Sequence, residues 1–182
     1  MPESPVLSPH SQRNIREQIA APMKTTLILL ASILASSIAS GQIPIRPPAV
    51  PLVACDPYFS IWSPADKLTD ANTTHWTGRP HRLSSSVTID GQKFRLMGAD
   101  PVDRQVLPQK SVTVSPTRSI YQFESAQIAL SLTFMTPSLP EDIDLLSWPV
   151  TYVTYSVKSV DRKPHRVSVD FDVSTEITTW NS

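Results

Sequence analysis

Apolar side chains recur at every second position in several short stretches of this chain, and that period dictates β-strands. Residues 165–174 read HRVSVDFDVS, with Val167, Val169, Phe171 and Val173 on one face and Ser168, Asp170 and Asp172 on the other. Residues 127–135 (QIALSLTFM) set Ile128, Leu130, Leu132 and Phe134 on one face. Successive side chains of a strand point to opposite sides, so strict alternation means one buried and one wet face. Residues 150–159 (VTYVTYSVKS) are rich in β-branched and aromatic residues, and 111–115 and 119–124 are β-like runs separated at Pro116. Val87 and Ile89, then Phe94 and Leu96, alternate on either side of Asp90-Gly91. Asp-Gly between such runs predicts a two-residue type I′ hairpin, because its central positions need φ > 0.

The rest of the chain supports strands and tight connections. There are 18 prolines and 4 glycines, which favours short elements joined by constrained turns. Residues 42–54 hold Pro44, Pro47, Pro48 and Pro51 and predict an extended strand or strap. A short strand is expected at Tyr58–Trp62, followed by a long loop to residue 83. Pro-bounded, acidic residues 137–149 are a connection, and Asp161-Arg162-Lys163-Pro164 is a turn between the last two strands. The fold expected is an all-β antiparallel β-sandwich. It is expected to be incomplete, because the chain stops at ITTWNS directly after strong β sequence. The last strands are then left with an exposed edge.

The first forty residues read as an address. From Met23 the sequence MKTTLILLASILASSIASGQ has Lys24, an apolar run from Leu27 to Ala39, and small residues Ser37, Ala39 and Gly41. That is the layout of a secretory signal peptide, over 23–41. The run is short for a bilayer span and no cysteine follows it, so no stable membrane anchor is expected. Residues 1–22 are polar and aperiodic. They read as an upstream extension before a physiological start at Met23, or alternatively as a long n-region. The domain expected is 42–182, in a secreted or periplasmic protein.

Charge narrows the partners. Lys plus Arg number 16 and Asp plus Glu 16, which gives no electrostatic case for nucleic acid. One cysteine, Cys55, cannot form an internal disulfide. No nucleophile elbow, P-loop, dinucleotide fingerprint, HExxH or Cys-x-x-Cys occurs. The four histidines are scattered, and neither a metal nor a cofactor is expected.

The candidate site residues lie between Cys55 and Leu83. Asp56, Tyr58, Trp62, His75 and Trp76 place aromatic rings and a carboxylate on one segment. They read either as the lining of a substrate pocket or as a plug for one end of the sandwich. Cys55 reads as a nucleophile beside His75 or His81, or as a small buried residue, the latter favoured. Glu141, Asp142 and Asp144 read as a solvated acidic loop before a calcium site. Asn72-Thr73-Thr74 fits a glycosylation sequon.

Several pieces, in order, resemble the N-terminal region of glutaminase A-type secreted proteins. They are Pro47-Pro48-Ala49, the run DPYFSIWS from Asp56 to Ser63, His75-Trp76-Thr77-Gly78 and Asp90-Gly91. Residues 121–180 are similar to the adjoining β domain, through Pro140, Asp142, Pro149, Thr151-Tyr152 and VDFDVSTEITTW. The resemblance implies a supersandwich-like β-domain, as at the N-terminus of helical-barrel hydrolases. It also implies hydrolysis of L-glutamine to L-glutamate and ammonia, with the chemistry in a downstream helical-barrel domain as partner. The function expected is a non-catalytic module that scaffolds or walls that site. The alternative is a module that binds carbohydrate or cell-wall glycan through exposed indoles. A fragment that folds poorly alone is the third reading.

Overall fold

The computed structural model describes residues 47–178, all within one compact unit, 44–182. The expected extension at 1–22 and signal at 23–41 lie outside these residues. Among the described residues no helix is long and apolar enough to cross a membrane.

Among the described residues, nine strands form three antiparallel sheets. The first pairs β1 (Val50–Ala54) with β2 (Ser60–Ser63). The second has the order β4-β3-β9, from β3 (Leu83–Ile89), β4 (Gln92–Met97) and β9 (Val167–Val173). The third has the order β5-β6-β7-β8, from β5 (Gln109–Ser115), β6 (Arg118–Glu124), β7 (Ile128–Met135) and β8 (Tyr152–Ser159). One four-residue helix, α1 (Ile143–Leu146), interrupts the acidic connection. The fold is all-β and sandwich-like, as the alternation predicts.

The alternating residues make the core. Ile128, Leu130, Leu132 and Phe134 of β7 are buried, as are Val87 and Ile89 of β3 and Tyr121 and Phe123 of β6. Burying each such side chain is worth about 1.5–3 kcal/mol. The sheets meet through Phe134 and Phe171, whose ring centroids lie 6.5 Å apart. They meet again where Ser85 Oγ and Tyr155 Oη share a hydrogen bond of 2.7 Å. β1 lies against the third sheet, with Ser119 Oγ donating to Pro51 O at 2.6 Å.

Turn chemistry is also as expected at the first hairpin. Asp90 has φ 50° and Gly91 φ 89°, and Ile89 pairs directly with Gln92. Two sequence expectations need adjustment. The strand at Tyr58–Trp62 starts two residues later, because the Asp56 carboxylate holds Tyr58 and Phe59 in a turn. The 137–149 connection holds a turn of helix, with Asp142 Oδ1 accepting the Leu145 N–H at 3.0 Å. The segment from Asp161 to Pro164 joins the last two strands, as expected. β8 and β9 belong to different sheets, so this segment carries the chain from one sheet to the other.

That crossing is pinned by an ionic staple. His165 Nδ1 lies 2.7 Å from Asp90 Oδ2, and its Nε2 lies 2.8 Å from Asp161 Oδ1. The hydrogen bond from His165 pulls the Asp161 carboxyl down to about 2, and Asp90 is lowered by the same imidazole. The two carboxylates hold His165 above its ordinary value, Asp90 first. A raised imidazole stabilises the fold below its unfolded pKa and loses that contribution as pH rises through the folded one. The lowered carboxylates contribute above their unfolded pKa and lose it as pH falls through the folded one. The three coincide between about pH 4 and pH 6.5. His165→Ala should therefore lower the melting temperature most inside that window and less on either side. Melts of both proteins across pH check this; a pH-independent difference would sink the assignment.

Candidate functional site

The site segment begins at the turn from β1 to β2. Asp56 Oδ1 accepts the N–H groups of Tyr58 at 2.7 Å and Phe59 at 2.8 Å. Phe59 O in turn accepts from the Cys55 and Asp56 N–H groups. The Asp56 carboxylate is thus employed in shaping the turn, which is the ordinary local use of an aspartate before proline. The turn points the Pro57 carbonyl at the loop that follows β2.

That carbonyl gathers two of the other candidates. His75 Nε2 lies 3.0 Å from Pro57 O, and Trp76 Nε1 donates to the same oxygen at 2.7 Å. A carbonyl only accepts, so the imidazole proton sits on Nε2. His75 Nδ1 is then the acceptor, taking the Thr77 N–H at 3.3 Å and facing Thr77 Oγ1 at 2.8 Å. His75 is buried, whereas Trp76 is 63% and Tyr58 74% exposed. The indole is fixed at one end and open on its face. Such a ring offers a large apolar surface in water with its polar handle already used.

Trp62 is placed differently. It joins the same loop through its backbone, exchanging hydrogen bonds with Thr74 at 2.7 and 3.0 Å. Its indole is half-buried, and the Nε1 atom is enclosed without a hydrogen-bond partner. His75 and Trp76 therefore converge on the Pro57 carbonyl, Asp56 and Tyr58 stand beside them in the turn, and the Trp62 ring is half-buried.

Cys55 does not meet a histidine. Its Sγ lies 3.7 Å from Thr151 Oγ1, and burial pushes the thiol up from its ordinary value. A raised thiol is a poor source of thiolate. Among the described residues no group of three or more His, Cys, Asp or Glu is arranged to hold a metal ion.

Two residues behind this surface carry structure that composition does not announce. His81 is buried, its ring centroid 5.1 Å from that of His75. Burial above all, then the neighbouring His75, lowers its pKa, and its Nδ1 has no partner. Thr73, also buried, donates its hydroxyl to His81 O at 2.7 Å and accepts the Leu83 N–H at 2.8 Å. The sequon asparagine is engaged too, Asn72 Oδ1 accepting the Ala99 N–H at 2.9 Å.

Comparison with known proteins follows the same division of the chain. Residues 28–108 match a family described as Domain of unknown function (DUF4964), and residues 117–182 match Domain of unknown function (DUF5127). Glutaminase A of Aspergillus oryzae is 29% identical over 148 residues, covering 76% of this chain and 21% of that protein. The chain thus spans about a fifth of the length of this curated relative. No solved structure matches it.

Proposed function

We propose that this chain, an N-terminal region of the glutaminase A type, is a non-catalytic β-sandwich module of an exported hydrolase. In this reading 42–182 is the module, 23–41 the export signal and 1–22 an upstream extension. The module scaffolds an active site carried by a helical-barrel domain of a longer protein, with L-glutamine as substrate. The observation that carries the reading is that Asp56 Oδ1 and both His75 ring nitrogens are engaged within the loop, holding its turns rather than standing free toward a substrate. General acid–base work needs a group within hydrogen-bond reach of a substrate proton. What the segment presents outward is Trp76 and Tyr58, an apolar wall for a neighbouring domain.

The purified chain is accordingly expected to release no ammonia from L-glutamine above the buffer rate. A coupled ammonia assay measures this. Ammonia release that disappears in Cys55→Ala or Asp56→Asn would overturn the non-catalytic assignment.

The second reading is a glycan-binding module, favoured by the open face of the Trp76 indole. Sugars stack on such faces, and anchoring Nε1 to Pro57 lowers the entropy lost on stacking. Trp62, half-buried with its nitrogen enclosed, offers less ring surface to a sugar than Trp76. Quenching of tryptophan fluorescence by soluble oligosaccharide, lost in Trp76→Ala, would favour it over the first.

A further inference from the structure

Among the described residues the sandwich is finished on one side and open on the other. The finished side has β4 and β5 as edges. Each carries one residue more than its partner at a register shift, Leu96 in β4 and Lys110 in β5. The β4 edge is also covered, with Arg95 N–H donating to Gln105 O at 2.7 Å and Leu107 N–H to Arg95 O at 3.0 Å. Bulges and covering segments are how folded proteins prevent an edge from pairing.

The open side has β8 and β9. β8 pairs with β7 over eight residues and β9 with β3 over seven, neither with a register shift. No described strand pairs with their outer sides, and neither contains proline. Between them lies an apolar cleft of about 220 Å³, lined by Val153 of β8, Phe171 and Val173 of β9, and Phe59, Leu83 and Phe134. Val153 and Phe171 face inward yet are only half-buried, and Val173 is 48% exposed. Their partners across the ladders, Phe134 and Leu83, are buried. The core is formed on this side but not closed.

We propose that the outer edge of β9 receives a further β-strand from the part of the longer glutaminase A-type protein that this chain does not span. The inference rests on the module reading above and names the contact through which the module joins the rest. Charge decides the chemistry of the incoming strand. The wet face of β9 carries Asp170 and Asp172, and Asp170 already takes Lys93 at 2.6 Å. A second copy pairing β9 with β9 would set these carboxylates beside one another, which is unfavourable for cross-strand neighbours. The fitting occupant alternates apolar residues, entering the cleft, with basic or neutral ones opposite Asp170 and Asp172. Main-chain bonds supply the affinity and the alternating side chains the register.

Hydrogen exchange on the 182-residue chain is the first test. β9 amides should exchange roughly tenfold or more faster than β3 amides, and an anilinonaphthalene sulfonate dye should bind the cleft. A chimera continued past Ser182 by the segment that follows the aligned region in Aspergillus oryzae Glutaminase A is the second. Protection should appear on β9, dye fluorescence should be lost, and Val173→Asp in the chimera should reverse both. A chain whose β9 is already as protected as β3 overturns the proposal, whether it is monomeric or a dimer by sedimentation. So does a chimera that melts cooperatively with β9 unprotected. Glutamine hydrolysis by the chain alone would remove the module reading without touching the edge, so the two failures are distinguishable.

Discussion

Phe134→Ala is expected to cost about 3–5 kcal/mol, the usual loss for truncating a buried aromatic ring. Phe134 is 1% exposed at the middle of the four-stranded sheet, paired with Ser119 on one side and Val153 on the other. Its ring stands edge-on to Tyr121, with centroids 6.5 Å apart and planes at 87°. The same ring meets Phe171 of the facing sheet at 53°. It therefore couples β6, β7 and β9 across the core. Edge-to-face pairs add about 0.5–1.5 kcal/mol beyond area burial, so the loss should fall in the upper part of that range. A domain of this size has about 5–15 kcal/mol in total, so the variant should be marginal. Urea denaturation gives the number directly through the midpoint at constant slope. Phe134→Leu keeps most of the volume and should cost clearly less. Equal losses for the two variants would mean that the ring contacts are not what joins the sheets.

Phe134 also shows what was legible in the sequence. Its burial follows from the period of residues 127–135 alone, because register on a half-buried strand is enforced by the cost of turning every apolar side chain outward. The hairpin at Asp90-Gly91 was equally legible, since the turn chemistry is local to two residues. The arrangement of strands into sheets was not. β8 and β9 are consecutive, alternate cleanly and sit in different sheets, and nothing in an alternating pattern says which sheet it joins. The site divides along the same line. Sequence placed Asp56, Tyr58, Trp62, His75 and Trp76 on one segment, and two of them, His75 and Trp76, do converge. They meet at the main-chain carbonyl of Pro57, eighteen residues from His75, and every residue type carries such an acceptor, so nothing in the sequence marks which one is used. Aromatic content likewise predicted two indoles of similar standing. In the fold one of them, Trp62, is half-buried with its Nε1 enclosed, while Trp76 stays open.

The loop that makes this division should depend on one hydroxyl, and Thr73→Val is expected to cost about 2–4 kcal/mol. Valine keeps the shape of threonine and removes its hydrogen-bonding atom. In the native fold that atom donates to His81 O at 2.7 Å and accepts the Leu83 N–H at 2.8 Å, at a position 1% exposed. The substitution leaves a buried carbonyl and a buried N–H unpaired, each at about 1–3 kcal/mol. The His81 N–H is already used, donating to Thr73 O at 3.3 Å, and that main-chain bond cannot take up either group. Thr73→Ser retains both hydrogen bonds and loses one methyl, about 0.8 kcal/mol of burial. The contrast between the two variants isolates the hydroxyl from the packing. A local readout separates loop from core: if Thr73 holds the His75–Trp76 segment, acrylamide should quench the tryptophan fluorescence of Thr73→Val more readily well below the melting temperature. Equal stability and equal quenching in Thr73→Val and Thr73→Ser would show that the hydroxyl does not hold the loop. The exposed Trp76 face would then owe its position to the Pro57 carbonyl alone.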